Sequence, residues 1–201
     1  ADVNVVQQQR WTPLHFTAEK GYVQIAKLLI QNGANVNALS ITKSTPLHIA
    51  AEDGHVEVVK VLIQNGVDVN ACQRKGWPAL HFAASFGHAD IAKVLIQNGA
   101  DVDGLNDALF TALCVAANKG HVDVAKVLIQ NGANVNAHAC NHMISLHLGA
   151  RNGHIDIVKL LIQNGANVND SASWQNVTPL HFARRQGHTE IAKVLIENGG
   201  K

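Results

Sequence analysis

Twelve histidines and three cysteines are the side chains best suited to chemistry in this 201-residue chain. Their tightest cluster is His138, Cys140 and His142. In an extended segment alternate side chains share a face, so these three soft donors could converge on a zinc ion. The cluster lacks a fourth ligand and the usual zinc spacing, and no metal is expected there. Cys114 has no base of its own nearby in sequence to activate it as a nucleophile. No phosphate-binding glycine loop, acidic pair or dinucleotide fingerprint occurs. The expectation is a non-catalytic chain with no cofactor.

The remaining histidines keep a period. His15, His48 and His81 follow one another at 33 residues, and His147 falls two periods later. Cys114 occupies the missing beat, and His181 arrives one residue late. A second series, each behind a glycine, runs through His55, His88, His121, His154 and His188. Both series are read as structural. A fixed period of this length marks stacked repeats, which form one body without internal boundaries. Residues 1–201 are therefore expected to be a single domain. Its units are about 9–41, 42–74, 75–107, 108–140 and 141–173, with 174–201 as a C-terminal cap.

Within one unit the local signals predict a helix pair. Thr45 precedes Pro46, a capping residue ahead of a proline that suits a first helical turn. A short helix through Leu47, Ile49, Ala50 and Ala51 ends at Gly54. A second, from about Val56 to Asn65, buries Val58, Val59, Leu62 and Ile63 at helical spacing and closes at Gly66. Glu57 and Lys60 lie three apart on its wet side, as do Asp90/Lys93, Asp123/Lys126, Asp156/Lys159 and Glu190/Lys193. Such pairs make a solvated face.

Bulk properties narrow the partners. The formal net charge is +1, which advertises neither nucleic acid nor an anionic membrane surface. No apolar run approaches a membrane span, and no signal peptide is visible. Three cysteines without a C-x-x-C pair fit a reducing compartment, cytoplasmic or recombinant. The opening Ala1-Asp2-Val3-Asn4 reads as the tail of a preceding repeat, so an N-terminal piece is expected ahead of this numbering.

Thr-Pro-Leu-His at 12, 45 and 178, the five Gly-His pairs, and Asn-Gly-Ala-Asn-Val-Asn at 32–37, 131–136 and 164–169 resemble the ankyrin repeat family over nearly the whole chain. The resemblance implies an all-α solenoid of about six helix-turn-helix units with β-hairpin-like tips. It also implies a concave groove of tips and inner helices that binds proteins.

Comparing the units with one another locates the recognition residues. Outer helices barely change, and Ala-Lys-Val-Leu-Ile-Gln-Asn-Gly occurs at both 92–99 and 125–132. The approaches to the inner helices share nothing: 39–44 reads Leu-Ser-Ile-Thr-Lys-Ser, 72–77 Cys-Gln-Arg-Lys-Gly-Trp, 105–110 Leu-Asn-Asp-Ala-Leu-Phe and 138–143 His-Ala-Cys-Asn-His-Met. The pair before each internal glycine varies as freely. Uniform scaffolding under dissimilar tips is the pattern of a diversified binder and looks like a designed or library-selected ankyrin repeat protein. At the tip glycine only Gly76 survives; Arg10, Lys43, Leu109, His142 and Asn176 replace it, and the last tip carries an extra residue near Trp174. A natural array, or a design made to study folding with no partner, are the alternatives.

The expected contact residues are Trp11, Lys43, Ser44, Glu52, Asp53, Arg74, Lys75, Trp77, Ser85, Phe86, Asp107, Leu109, Phe110, Asn118, Lys119, His142, Met143, Arg151 and Asn152. Trp77, Phe86 and Phe110 would be apolar anchors among a polar rim. One protein partner, a monomeric free state, and neither nucleic acid nor membrane complete the expectation.

Overall fold

A computed structural model of the chain describes residues 2–172 and 176–201. The Thr-Pro-x-His sequence sets the start of the first helix in a repeat. Thr45 is extended, and Pro46 enters the helix where a missing N–H leaves nothing unsatisfied. The Thr45 N–H donates to Nδ1 of His48 at 3.1 Å, and the Thr45 hydroxyl lies 2.8 Å from the same nitrogen. The helix ends at Gly54 with φ of 83°, the left-handed region that glycine enters at little cost. A single turn then reverses the chain into the second helix.

Contacts divide the chain into two compact units, Ala1–Asp101 and Val102–Lys201. The first holds three helix pairs: α1 (Pro13–Lys20) with α2 (Val23–Gln31), α3 (Pro46–Asp53) with α4 (Val56–Gln64), and α5 (Ala79–Phe86) with α6 (Ala89–Gln97). The second repeats the plan with α7 (Ala112–Lys119) and α8 (Val122–Gln130), α9 (Ser145–Asn152) and α10 (Ile155–Gln163), and α11 (Pro179–Arg185) and α12 (Thr189–Glu197). In the first unit α1, α3 and α5 pack in an inner row, and α2, α4 and α6 in an outer one. In the second the rows are α7, α9, α11 and α8, α10, α12. The described residues contain no strand, only one antiparallel bridge from Ala172 to Val177. None of their helices is long and apolar enough to cross a membrane.

The core follows the spacing, with one correction. Val58, Val59 and Leu62 are buried as expected, but Val61 is buried too and Ile63 is only half-buried. Because α4 is flanked by α2 and α6 as well as backed by α3, its buried arc is wider than one helical face and is shifted toward its neighbours. On the wet side Glu57–Lys60, Asp123–Lys126 and Glu190–Lys193 form ion pairs at 2.6, 3.1 and 2.8 Å.

Candidate protein-binding surface

The histidines are assigned first, because their geometry separates scaffold from surface. His15 and His48 each accept a backbone N–H at Nδ1, from Thr12 and Thr45, so the proton sits on Nε2. That Nε2–H reaches the next tip: His15 donates to Ser44 O at 3.0 Å, and His48 to Ala71 O and Trp77 O at 2.9 and 3.0 Å. In the second unit His147 does the same with Val177 O at 3.2 Å. Burial holds all three below the ordinary imidazole range, His48 down to about 4. These rings are neutral fasteners that hold each tip to the preceding inner helix. Where the beat falls on Cys114, a thiol packs 3.4 Å from Ser145 Oγ instead.

The Gly-His series fastens the other end of each inner helix. His55 and His88 donate to Glu19 O and Glu52 O, each at 2.9 Å, and His154 and His188 to Asn118 O and Arg151 O at 3.2 Å. Each ring lies over the glycine of the preceding repeat. A Cβ on Gly21 or Gly54 would stand 2.5 or 2.7 Å from it.

Of the three zinc candidates, His138 is engaged elsewhere. His138 faces Asp170, with Nε2 at 3.2 and 3.3 Å from the two carboxylate oxygens, and its ring centroid is 5.5 Å from that of His142. Among the described residues no three His, Cys, Asp or Glu side chains gather around a point that could hold a metal ion.

Each tip is a tight reversal closed by backbone bonds of one pattern: Gln7 N–H to Trp11 O, Ser40 to Ser44, Gln73 to Trp77, Asn106 to Phe110, and Ala139 to Met143. The last closes one residue wider, from Ala172 to Val177, around the extra residue expected near Trp174, which lies outside the described residues. The turn requires a left-handed residue just before the closing one. Gly76 supplies it at φ 66°, and Arg10, Lys43, Leu109, His142 and Asn176 adopt it at 58°, 60°, 60°, 54° and 52°. Gln9 and Asn141 are left-handed as well. Neighbouring tips in the first unit are joined by Ile41 N–H to Gln9 O and Arg74 N–H to Thr42 O, both at 2.9 Å.

In the first unit Lys43, Asp53, Arg74, Lys75 and Phe86 are exposed, and Glu52, Ser85 and Trp77 are partly so. Trp77 lies against its own helix, its ring 5.4 Å from Phe82 and 5.9 Å from His81. Trp11 repeats this on Phe16 at 5.1 Å and His15 at 5.8 Å. Ser44, expected at the surface, is buried: its Oγ closes a chain through Thr42 Oγ1 to Ser40 Oγ, at 3.0 and 2.8 Å, which shapes the tip. Burial and the Asp53 charge raise the Glu52 carboxyl above its usual range.

In the second unit Asp107, Leu109, Lys119, His142 and Asn152 are exposed, and Asn118 and Arg151 partly so. The Asn152 amide donates to Asn118 Oδ1 at 2.8 Å and to its carbonyl at 3.1 Å, bringing two of the expected residues together. Two others belong to the packing. Met143 is buried, and Phe110 lies against a cluster of Cys114, Ala139, Met143, Leu148 and Ala172. Where the beat carries Cys114 in place of histidine, Phe110 of its own tip and Met143 of the next pack together beside it. Sequence reasoning also passed over Leu39, Ile41 and Leu105, apolar side chains exposed on the tips. Their signal was present, since apolar residues at turn positions have no core to reach.

In each unit, short helix pairs packed in rows behind histidine-pinned tips define a helical repeat protein. Models of ankyrin repeats match residues 14–63 and 47–96 (many copies), 109–140 (a single repeat) and 137–201 (three copies). The chain belongs to the ankyrin repeat family, whose members serve generally as protein-interaction modules. No curated protein is matched by the chain.

Proposed function

We propose that the chain is a recognition module that binds one protein partner through its tips and the C-terminal ends of its inner helices. Lys43, Arg74, Lys75, Trp77 and Phe86 act from the first unit and Leu109, Asp107, Lys119, His142, Arg151 and Asn152 from the second. Trp11, Glu52, Asp53, Ser85 and Asn118 line their edges. Ser44, Phe110 and Met143 shape the tips from beneath.

The observation that supports this most strongly is the left-handed backbone at Arg10, Lys43, Leu109 and His142. An L-residue in that region gives up about 1–2 kcal/mol that glycine would not. Strain held at an exposed position, repeated in tip after tip, favours selection for the side chain presented. A sequence optimised only for folding would place glycine at the position of Gly76 in every tip, so the same observation counts against a folding design. It fits an engineered or selected binder and, as the second reading, a natural interaction array.

The test is affinity capture from a protein array with three chains. These are the wild type, a tip variant (Lys43→Glu, Lys75→Glu, Trp77→Ala, Leu109→Ala) and an outer-helix variant (Lys60→Glu, Lys93→Glu, Lys126→Glu, Lys159→Glu). The reading requires a partner held by the first and third and lost by the second. Equal capture by all three rules it out.

A further inference from the structure

We infer that the tips of the first unit select a partner through an acidic, extended segment of its chain. This rests on the recognition reading above and names the chemistry that the first unit takes. The tips Gln7–Trp11, Ser40–Ser44 and Gln73–Trp77 carry Arg10, Lys43, Arg74 and Lys75, all exposed, and no Asp or Glu. None of the four forms an ion pair among the described residues. Asp2 and Asp68, the acids that precede the first and third tips, are used within their own loops. Their Oδ1 atoms accept Asn4 and Asn70 N–H at 2.9 and 3.0 Å.

Backbone geometry separates this set from a chance scatter of surface charge. Arg10 and Lys43 stand at φ 58° and 60°, in the left-handed position that Gly76 fills in the third tip. Each holds a conformation that glycine would hold without strain. In the third tip, where glycine takes that position, the cations occupy the two preceding places as Arg74 and Lys75. Charge is kept in all three tips. The turn itself does not require it, since the tips at 105–110 and 138–143 of the second unit contain neither lysine nor arginine.

The spacing suits several carboxylates in a row. Ile41 N–H to Gln9 O and Arg74 N–H to Thr42 O, both at 2.9 Å, tie the three tips side by side. Behind them α1, α3 and α5 pack in one row, and packed helices stand about 8–10 Å apart. An extended peptide covers that distance in about three residues. Acidic residues so spaced meet one tip each, whereas a single phosphate group cannot span the row.

Two observations favour a peptide over a nucleic acid or an anionic membrane. Leu39 and Ile41, the apolar groups presented by the second tip at 48% and 47% exposure, are aliphatic and match apolar side chains between the acids. Single-stranded bases instead need aromatic platforms, and Trp11 and Trp77 lie against Phe16 and Phe82 with ring centroids 5.1 and 5.4 Å apart. Glu52 and Asp53 end α3, whose eight residues span about 12 Å from the tip. A polyanion or bilayer broad enough to cover the tips brings its charge toward both carboxylates; a short acidic segment held on the tips does not.

The test selects a phage-displayed library of random peptides on the immobilised chain and measures the winners by fluorescence anisotropy. Three chains are compared: wild type, a tip variant (Lys43→Gln, Arg74→Gln, Lys75→Gln) and an outer-helix variant (Lys60→Gln, Lys93→Gln, Lys126→Gln). Winners should carry an excess of Asp and Glu over the naive library. They should bind the tip variant tenfold or more weakly and the outer-helix variant as they bind wild type. Raising salt from about 50 mM to about 500 mM should weaken them on the wild-type chain. Replacing the acids of a winner by Asn and Gln should cost the same tenfold on wild type, a readout that stands even where the tip variant fails to fold. Winners without acidic excess that the tip variant still loses overturn this inference and leave the recognition reading in place. Winners indifferent to the tips overturn both, and no enrichment over the naive library overturns the inference. So does an oligouridine strand or a phosphatidylserine vesicle that binds more tightly than the best peptide and is lost by the tip variant, since a polyanion then owns the tips.

Discussion

Replacing Leu109 by glycine should make the protein more stable, although it deletes an apolar side chain. Leu109 sits at φ 60° and its side chain is exposed, so little burial is lost. Its N–H donates to Asn106 O at 2.8 Å, and the buried Asn106 Oδ1 accepts from Ala108 and Phe110, both at 3.0 Å. None of these bonds involves the Leu109 side chain, so all survive the change. Relief of the left-handed strain is worth about 1–2 kcal/mol, and the greater freedom of glycine in the unfolded chain returns about 0.5–1 kcal/mol. The net gain is about 0.5–1 kcal/mol. Leu109→Ala keeps the strain and should lie within about 0.5 kcal/mol of wild type. Urea denaturation reads both, as a raised midpoint at unchanged slope for glycine and little movement for alanine. A glycine variant less stable than wild type, or an alanine variant that matches glycine, would refute the reasoning, because the side chain would then be packed rather than presented.

Other outcomes follow from the fasteners. His48 titrates near 4 when folded, against about 6.5 when unfolded, so its contribution is intact above pH 6.5 and is lost as pH falls toward 4. The loss is about 2 kcal/mol by pH 5, His15 and His147 add in the same direction, and denaturation at pH 7 and pH 5 should show the slope flatten in His48→Gln. Gly54→Ala places a methyl 2.7 Å from the His88 ring at φ 83° and should cost about 2–4 kcal/mol, while Gly66→Ala, at φ 79° with nothing within 4 Å, should cost only about 1 kcal/mol; thermal unfolding of the pair isolates the contact. Pro78 stands at the N-cap where Thr12 and Thr45 stand elsewhere, so Pro78→Thr should raise stability by about 1 kcal/mol by capping α5, read from the same denaturation curves.

The fold was legible because its determinants are local and repeated. Thr45, Pro46, His48 and Gly54 each carry a turn-level instruction, and recurrence at 33 residues multiplies the signal. The left-handed tip positions were legible for the same reason, since Gly76 marks the place that Lys43 and Leu109 fill. Individual tip side chains were not. Whether Phe110 is presented or packed depends on Cys114 in the helix that follows it and on Met143 in the next tip. That is a difference of a few side-chain atoms, and no periodicity records it. Ser44 was misjudged for a related reason, as its hydroxyl is used within the tip by Thr42 and Ser40. The exposed face of α2 was hidden in the opposite way. Ile25 and Leu28 look like every other core residue in sequence, yet both are exposed.

The most direct measurement is a hydrogen-exchange footprint of a captured protein partner on this chain. Protection confined to the tip segments 39–44, 72–77, 105–110 and 138–143 and to the ends of the inner helices at 52–53, 85–86, 118–119 and 151–152 is the predicted result. Protection centred on the outer helices α4, α6, α8 and α10, with the tips exchanging as in the free chain, would contradict it.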